Sequence, residues 1–368
     1  MSAAEYRADA LAIEPLINRS YAYLDRFEGG AAPSSERLRA EAAQVADRRA
    51  LLRHAERALL ALADHHAITG ASFPDSWAVV PSYADLWIVR SGEAYRVEAV
   101  REGSPAAAAG VRVGDRLTAV AGVPAAQAVE AFWADLGLPV TEERASFAAQ
   151  VLAAGRRDRS RTLSFRTGNA AAREVMLPNL YSAAPGPRAP LTATPGRGRL
   201  TIRINNSLGD SATIAAFDSA MARAGRGDTI VIDLRDTPGG GNTTVARAMM
   251  GWFVDRPRAY QVHNLPSEQR ETGVARQWIE QVLPRRPAAH KGPVRVLVGR
   301  WTGSMGEGLA IGFDALGAKV SGGRMAGLLG AVYDHRLEHS GLVLKLPTER
   351  LMATDLTPRE DFVAGAPR

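Results

Sequence analysis

A serine followed three residues later by a glutamate, Ser304-Met-Gly-Glu307, stands where a short apolar run turns into an apolar, helix-compatible segment. A hydroxyl at such a helix start meets free backbone N–H groups and a dipole that favour developing negative charge, as a nucleophile attacking a carbonyl requires. The same four residues also spell a Ser-x-x-Glu capping box, which needs no catalysis. A second corner, Asp233-Leu-Arg-Asp-Thr-Pro-Gly-Gly-Gly-Asn242, carries three glycines that let backbone amides approach a ligand closely. No Gly-Lys-Ser/Thr follows them, so a nucleotide-binding loop is not expected.

A serine needs a base. Apolar residues recur at Leu38, Val45, Leu52 and Leu59, a spacing of seven that predicts one helix face over residues 35–66. The next step of that stripe is His66, which would face inward from the last turn, with Gly70 as a stop just beyond. His65 would point about 100° away, so the adjacent pair is not a metal site. A helix-end histidine bonded to free carbonyls is the plain alternative.

The elements that would position these residues alternate. Residues 200–204 read as strand, 212–224 as helix, 229–234 as a buried strand and 243–254 as helix. Residues 294–298 then read as strand, and a helix follows Ser304. Such alternation predicts an α/β layer. Residues 258–292, polar and Arg-rich between the two glycine corners, are expected to form a lid or a substrate-contacting insertion. The organisation expected is a helical region 1–80, a β-rich domain 81–180, a Pro/Gly linker 181–199 and a catalytic core 200–368.

With 46% hydrophobic and 23% charged residues, and no run approaching the roughly 18 apolar residues of a spanning helix, the chain reads as globular with no membrane span. Cysteine is absent, which removes thiol chemistry and disulfides. The net charge of +6 comes from scattered arginines beside acids, so no nucleic-acid partner is expected. The first residues show no apolar signal core, which leaves the compartment open. Oligomeric state is equally open.

Residues 95–124 run as an alternating strand, Gly103-Ser-Pro-Ala, a short alanine helix, a Gly114-Asp115 turn and a further strand. This resembles a PDZ domain, which implies a groove taking an extended peptide as an added strand. Residues 82–88 stand where its carboxylate-binding loop is expected, without the usual glycine. Together with Asp-Leu-Arg-x-x-Pro-Gly-Gly and the Thr302-Gly-Ser-x-x-Glu corner, the chain resembles the C-terminal-processing serine peptidases. That family includes the tail-specific proteases and the tricorn core, with a crotonase-like α/β catalytic fold. The resemblance implies Ser304 as nucleophile, and an oxyanion hole from the Met305 amide with one from Gly239 or Gly240.

The tail-specific branch takes its base from a lysine about 25 residues past the serine. Here Leu328 stands nearest that place, and Arg324 stays protonated at any working pH. The tricorn-like branch takes a histidine just ahead of its PDZ, which matches His66. Relatives add an acid past the serine to orient it. Glu349, at the end of a strand-like run, is chosen, with Glu360, Asp64 and Asp314 as alternatives. The expected activity is serine endopeptidase on peptide or protein substrates, with no metal or organic cofactor. A PDZ-bearing pseudopeptidase that only binds peptides or apolar ligands is the rival.

Overall fold

A computed structural model describes residues 1–182, 186 and 188–365, and the chain divides into two compact units. The first comprises Met1–Ala184 and Val332–Pro347, the second Pro185–Ala331 and Thr348–Arg368.

The first unit begins with α1 (Ala3–Ser20), α2 (Glu36–Gln44) and α3 (Arg48–Leu60). The single helix expected over residues 35–66 is thus two. Asp47 caps a new start by accepting from the Ala50 amide (2.8 Å), which breaks the chain between them. Leu38, Val45, Leu52 and Leu59 are all buried nonetheless. Helical phase ends at Leu60, so it does not orient His66, which lies in the turn beyond.

After β1 (Ile68–Thr69) comes a mixed layer: β2 (Leu86–Ser91), β3 (Ala94–Val100), α4 (Pro105–Ala108), β4 (Arg116–Val120) and β5 (Val123–Pro124). Then follow α5 (Ala125–Asp135), α6 (Glu142–Ala154), β6 (Arg161–Arg166) and β7 (Arg173–Leu177). The strands form a six-stranded sheet in the order β2-β3-β4-β6-β7, with β5 on β4. Ile88, Val97, Leu163 and Phe165 from its inner face pack with Trp133 and Phe147 from the helices. A buried ion pair, Arg161 to Asp85 (2.7 Å), ties β6 to the segment ahead of β2, and Asp85 also accepts from the Ala106 amide.

The second unit opens with β8 (Leu191–Gly196) and β9 (Arg199–Ile204), a hairpin where a linker was expected. Its proline and glycine are tolerated because β8 is an edge strand. Residues 183–185 and 187 of that linker lie outside the described residues. Next come α7 (Ala212–Met221), β10 (Thr229–Asp233), α8 (Thr243–Met250), β11 (Arg258–Asn264), α9 (Pro266–Thr272), β12 (Gln277–Val282) and β13 (Val294–Leu297). The chain continues through α10 (Met305–Ala315), β14 (Lys319–Ser321), β15 (Gly323–Arg324), β16 (Ala331–Arg336), β17 (Val343–Met352) and β18 (Val363–Ala364).

The central sheet runs β14-β13-β10-β9-β8, parallel from β14 to β9. Ile202, Ile230, Ile232 and Val296 fill its middle, the near-continuous apolar runs of a sheet covered on both faces. Both glycine corners leave the carboxyl ends of adjacent strands, β10 and β13, where open α/β sheets place their ligands.

Residues 258–292 are not an irregular insertion. They supply β11 and β12, which pair with each other, and β11 also pairs with the second half of β17. In the first unit, the start of β17 pairs with β1, Thr69 opposite Leu344.

Candidate active site

Ser304 stands at φ 52°, ψ −116°, a conformation a non-glycine residue rarely adopts. Such strain costs on the order of 1–3 kcal/mol and persists where the surroundings over-determine it. Here they do. The Gly303 amide donates to the Thr237 carbonyl (3.1 Å), the Thr237 amide to the Trp301 carbonyl (2.9 Å), and the Thr302 hydroxyl to the Leu234 carbonyl (2.8 Å). A Cβ on Gly303 would come within 2.8 Å of the Pro238 carbonyl oxygen, so only glycine lets the two corners meet this closely.

The expected capping box is half of a larger clamp. The Glu307 carboxylate accepts from the Ser304 amide (2.8 Å), while the Glu307 amide goes to the Ser304 carbonyl (3.0 Å). The same carboxylate accepts from the amides of Gly327 (2.8 Å) and Leu328 (3.2 Å). Complete burial pushes its pKa up to about 7, against the pull of the Arg359 guanidinium and the three amides. Arg359, itself buried, donates to the carbonyls of Leu328 and Gly330 (both 2.7 Å) and holds the same loop from its other side.

Of the expected oxyanion donors, Gly240 lies beside Ser304: a Cβ there would sit 3.6 Å from the serine hydroxyl oxygen. The Gly239 amide is engaged with the Asn206 side chain (2.6 Å). Met305 is the first residue of α10, where backbone N–H groups lack intrahelical partners. Leu328, at the place of the absent lysine, is buried with a methyl 3.2 Å from the Cβ position of Gly303. The corner is apolar there.

The other expected residues are placed as follows. In the first unit, the His66 amide donates to Asp64 (2.8 Å), whose second oxygen accepts from the Tyr21 hydroxyl (2.8 Å). Burial raises the Asp64 pKa, opposed by Arg26 and these hydrogen bonds. His65 diverges from His66. Its ring stacks on Phe147 at 4.4 Å, its Nε2 lies 2.6 Å from the Gln150 side-chain oxygen, and burial pulls its pKa down to about 4. Asp314 sits ten residues along from Ser304, roughly 15 Å of helix at about 1.5 Å per residue. Glu360 lies on the single turn Arg359–Asp361, its carbonyl oxygen 3.9 Å from the Cβ position of Gly327.

Glu349 is buried in the middle of β17, and its carboxylate accepts from His263 Nδ1 (2.8 Å). His263 Nε2 lies 3.2 Å from Glu280, and the ring stacks on Trp278 at 5.0 Å. Burial disfavours its charge, but the hydrogen bonds to Glu280 and Glu349 outweigh that and raise its pKa. This histidine was missed from the sequence. A histidine two residues from a glutamine in a segment read as irregular gave no periodic signal, and its partners lie far along the chain.

A strained serine on a strand-helix corner of a parallel α/β sheet, with a glycine loop beside its hydroxyl, is a candidate nucleophile. Residues 200–361 match the model of peptidase family S41, and residues 96–131 match that of a PDZ domain. The chain is a serine-type peptidase whose substrates are peptides or proteins, similar to family S41 over residues 200–361 and to a PDZ domain over residues 96–131. Among solved structures it is similar to the photosystem II D1 C-terminal processing protease, at 16% identity and a TM-score of 0.58, covering 98% of this chain and 91% of that one. It is also similar to mature CPAF, at 14% identity and a TM-score of 0.57, covering 98% and 92%. A comparison with curated proteins gives no match. No helix among the described residues is long and apolar enough to cross a membrane, and no metal-binding cluster is found among them.

Proposed function

We propose that the chain is an endopeptidase that cuts extended or C-terminal segments of proteins by a serine–histidine–acid mechanism. Ser304 Oγ attacks the carbonyl carbon, and the amides of Met305 and Gly240 hold the oxyanion. His66 takes the serine proton and returns it to the leaving amine, and water then releases the acyl group. The observation that carries this reading is the positive φ of Ser304, since a capping serine requires no such strain. No lysine base enters this chemistry, because Leu328 fills the lysine's place.

An acid orients His66. The carboxylate of Glu349 is engaged with His263, which favours Glu360, whose backbone lies beside Gly327, over Glu349 for this role. His263 itself is a poor base, since two glutamates favour its protonated form.

The test is labelling with a fluorophosphonate probe, followed by digestion of a peptide library. Wild type should label at Ser304 and cut internal bonds, while Ser304→Ala and His66→Ala should do neither. Labelling of wild type elsewhere, or undiminished cleavage by either variant, would refute the assignment.

A further inference from the structure

The first unit contains a cavity of about 420 Å³ that no step of the peptidase chemistry uses. Leu59 and Leu60 of α3, Trp77, Val79, Phe132 of α5 and Val151 of α6 give it an apolar lining. At about 30 Å³ per water-sized group it has room for roughly a dozen heavy atoms. That volume falls within the range of small-ligand sites, which combine apolar walls with a few polar anchors.

Its charged rim is unbalanced. Arg53 pairs with Asp75 (3.0 Å), and Arg57 pairs with Glu41 (2.8 Å) and with Asp135. Glu56 is held by the Ser76 hydroxyl and by Arg53. Arg156 and Arg157 direct their hydrogen bonds to neutral groups instead, with Asp75 and Glu56 acting on Arg156 only through space. Arg156 donates to the Asp75 carbonyl (2.9 Å) with its guanidinium 3.7 Å above the Trp77 ring. Arg157 donates to the Trp77 carbonyl (3.1 Å) and to the Ser72 hydroxyl. Among the described residues neither forms an ion pair with a carboxylate, and burial, partly offset by Asp75, lowers the Arg156 pKa. A half-buried guanidinium stacked on an aromatic wall suits an incoming carboxylate, which it can bind by two parallel hydrogen bonds.

We propose that this cavity binds an apolar carboxylate, its hydrocarbon body against Trp77 and Phe132 and its head group on Arg156 and Arg157. The site differs from the β2 edge, where α6 lies along the strand: the Arg90 amide donates to the Ser146 hydroxyl (3.0 Å) and Gln150 donates to the Ile88 carbonyl (3.0 Å). The chemistry fits a fatty acid or a free, apolar peptide C-terminus. Asp64, His65 and Ala67, which flank His66, also line the cavity, so an occupant touches the turn that carries the proposed base.

The test uses the full chain with decanoate, decanol, and a hexapeptide of apolar C-terminus in free and amidated forms, read by calorimetry and thermal shift. Binding does not depend on the catalytic assignment, so it is read separately from probe labelling at Ser304. Decanoate or the free peptide should bind saturably, at least tenfold tighter than its uncharged counterpart, a difference of about 1.4 kcal/mol. Which of the two binds identifies the source. Arg156→Gln should weaken the acid about tenfold and leave the uncharged form unchanged, and Ala128→Phe, which fills the cavity, should abolish both. Absence of saturable binding, equal affinity for acid and uncharged forms, or undiminished binding in a folded Ala128→Phe would overturn the proposal.

Discussion

The carboxylate of Glu307 joins the amide of Ser304 to the amides of Gly327 and Leu328, so one side chain sets both the backbone of Ser304 and the loop at residues 327–328. Removing it leaves three donors without their acceptor, the Leu328 amide buried and those of Ser304 and Gly327 partly so. Glu307→Ala should lower stability by about 3–5 kcal/mol, the usual cost of deleting one partner of a buried charged cluster. Glu307→Gln, which keeps an acceptor oxygen, should cost less and retain residual probe labelling at Ser304. Urea unfolding with labelling of the same samples checks this, and a neutral Glu307→Ala would contradict the clamp.

The same residue sets a pH dependence. In the native state Glu307 holds its proton up to about pH 7, against an ordinary glutamate value of 4.5. Below 4.5 both states bind that proton. Between 4.5 and 7 only the native state does, so stability falls as pH rises across that window and is constant above it. At about 1.4 kcal/mol per pH unit the loss is on the order of 3 kcal/mol. Urea midpoints of wild type should therefore decline from pH 5 to 7 more steeply than those of Glu307→Gln.

Strain at Ser304 separates activity from stability. Glycine adopts φ 52° freely, whereas alanine does not. Ser304→Gly should be about 1 kcal/mol or more stabler than Ser304→Ala in thermal unfolding, with neither labelled by the probe. Equal stabilities would mean that the backbone relaxes in the variants.

His263 and Glu349 give a contrast between structural and catalytic acids. Removing a hydrogen-bonded carboxylate should lower the His263 pKa, so Glu349→Gln is expected to shift its imidazole titration downward by NMR. Because the folded pKa is raised, the pair's stabilisation is fully present below pH 6.5 and is lost as pH rises through the folded value. Glu360→Gln should leave that titration unmoved while lowering kcat roughly a hundredfold or more, as expected when a base loses its orienting acid. The reverse pattern would restore Glu349 as the acid.

The corners at residues 234–241 and 299–307 were legible because their chemistry is local: a strand, a run of glycines, a helix start. The alternation from β9 to α8, and again from β13 to α10, was legible for the same reason. The break at Asp47 was hidden because Val45 is buried either way, so the stripe of seven runs through two helices without a fault. In β12 the alternation inverts. Ile279 is 57% exposed while Glu280 turns inward to His263, so hydropathy pointed away from the true face. Buried polar pairs of high sequence separation leave no periodic trace.

The PDZ sheet ends at β2, the edge where an added peptide strand would pair, and the chain's own helix α6 already occupies it. Eight of the thirteen residues of α6 are buried, so the helix is part of the unit's core. With the Arg90 amide bonded to Ser146, it should be protected from hydrogen exchange without any ligand. Ser146→Ala should speed exchange at Arg90 at least tenfold, because only this bond shields it from water. Gln150→Ala should cost about 1–3 kcal/mol by leaving the Ile88 carbonyl without its donor. Peptides that occupy the cavity should shift resonances near Trp77 and leave those of residues 88–90 in place. A peptide that instead perturbed Arg90 and displaced α6 would show that the edge can be opened.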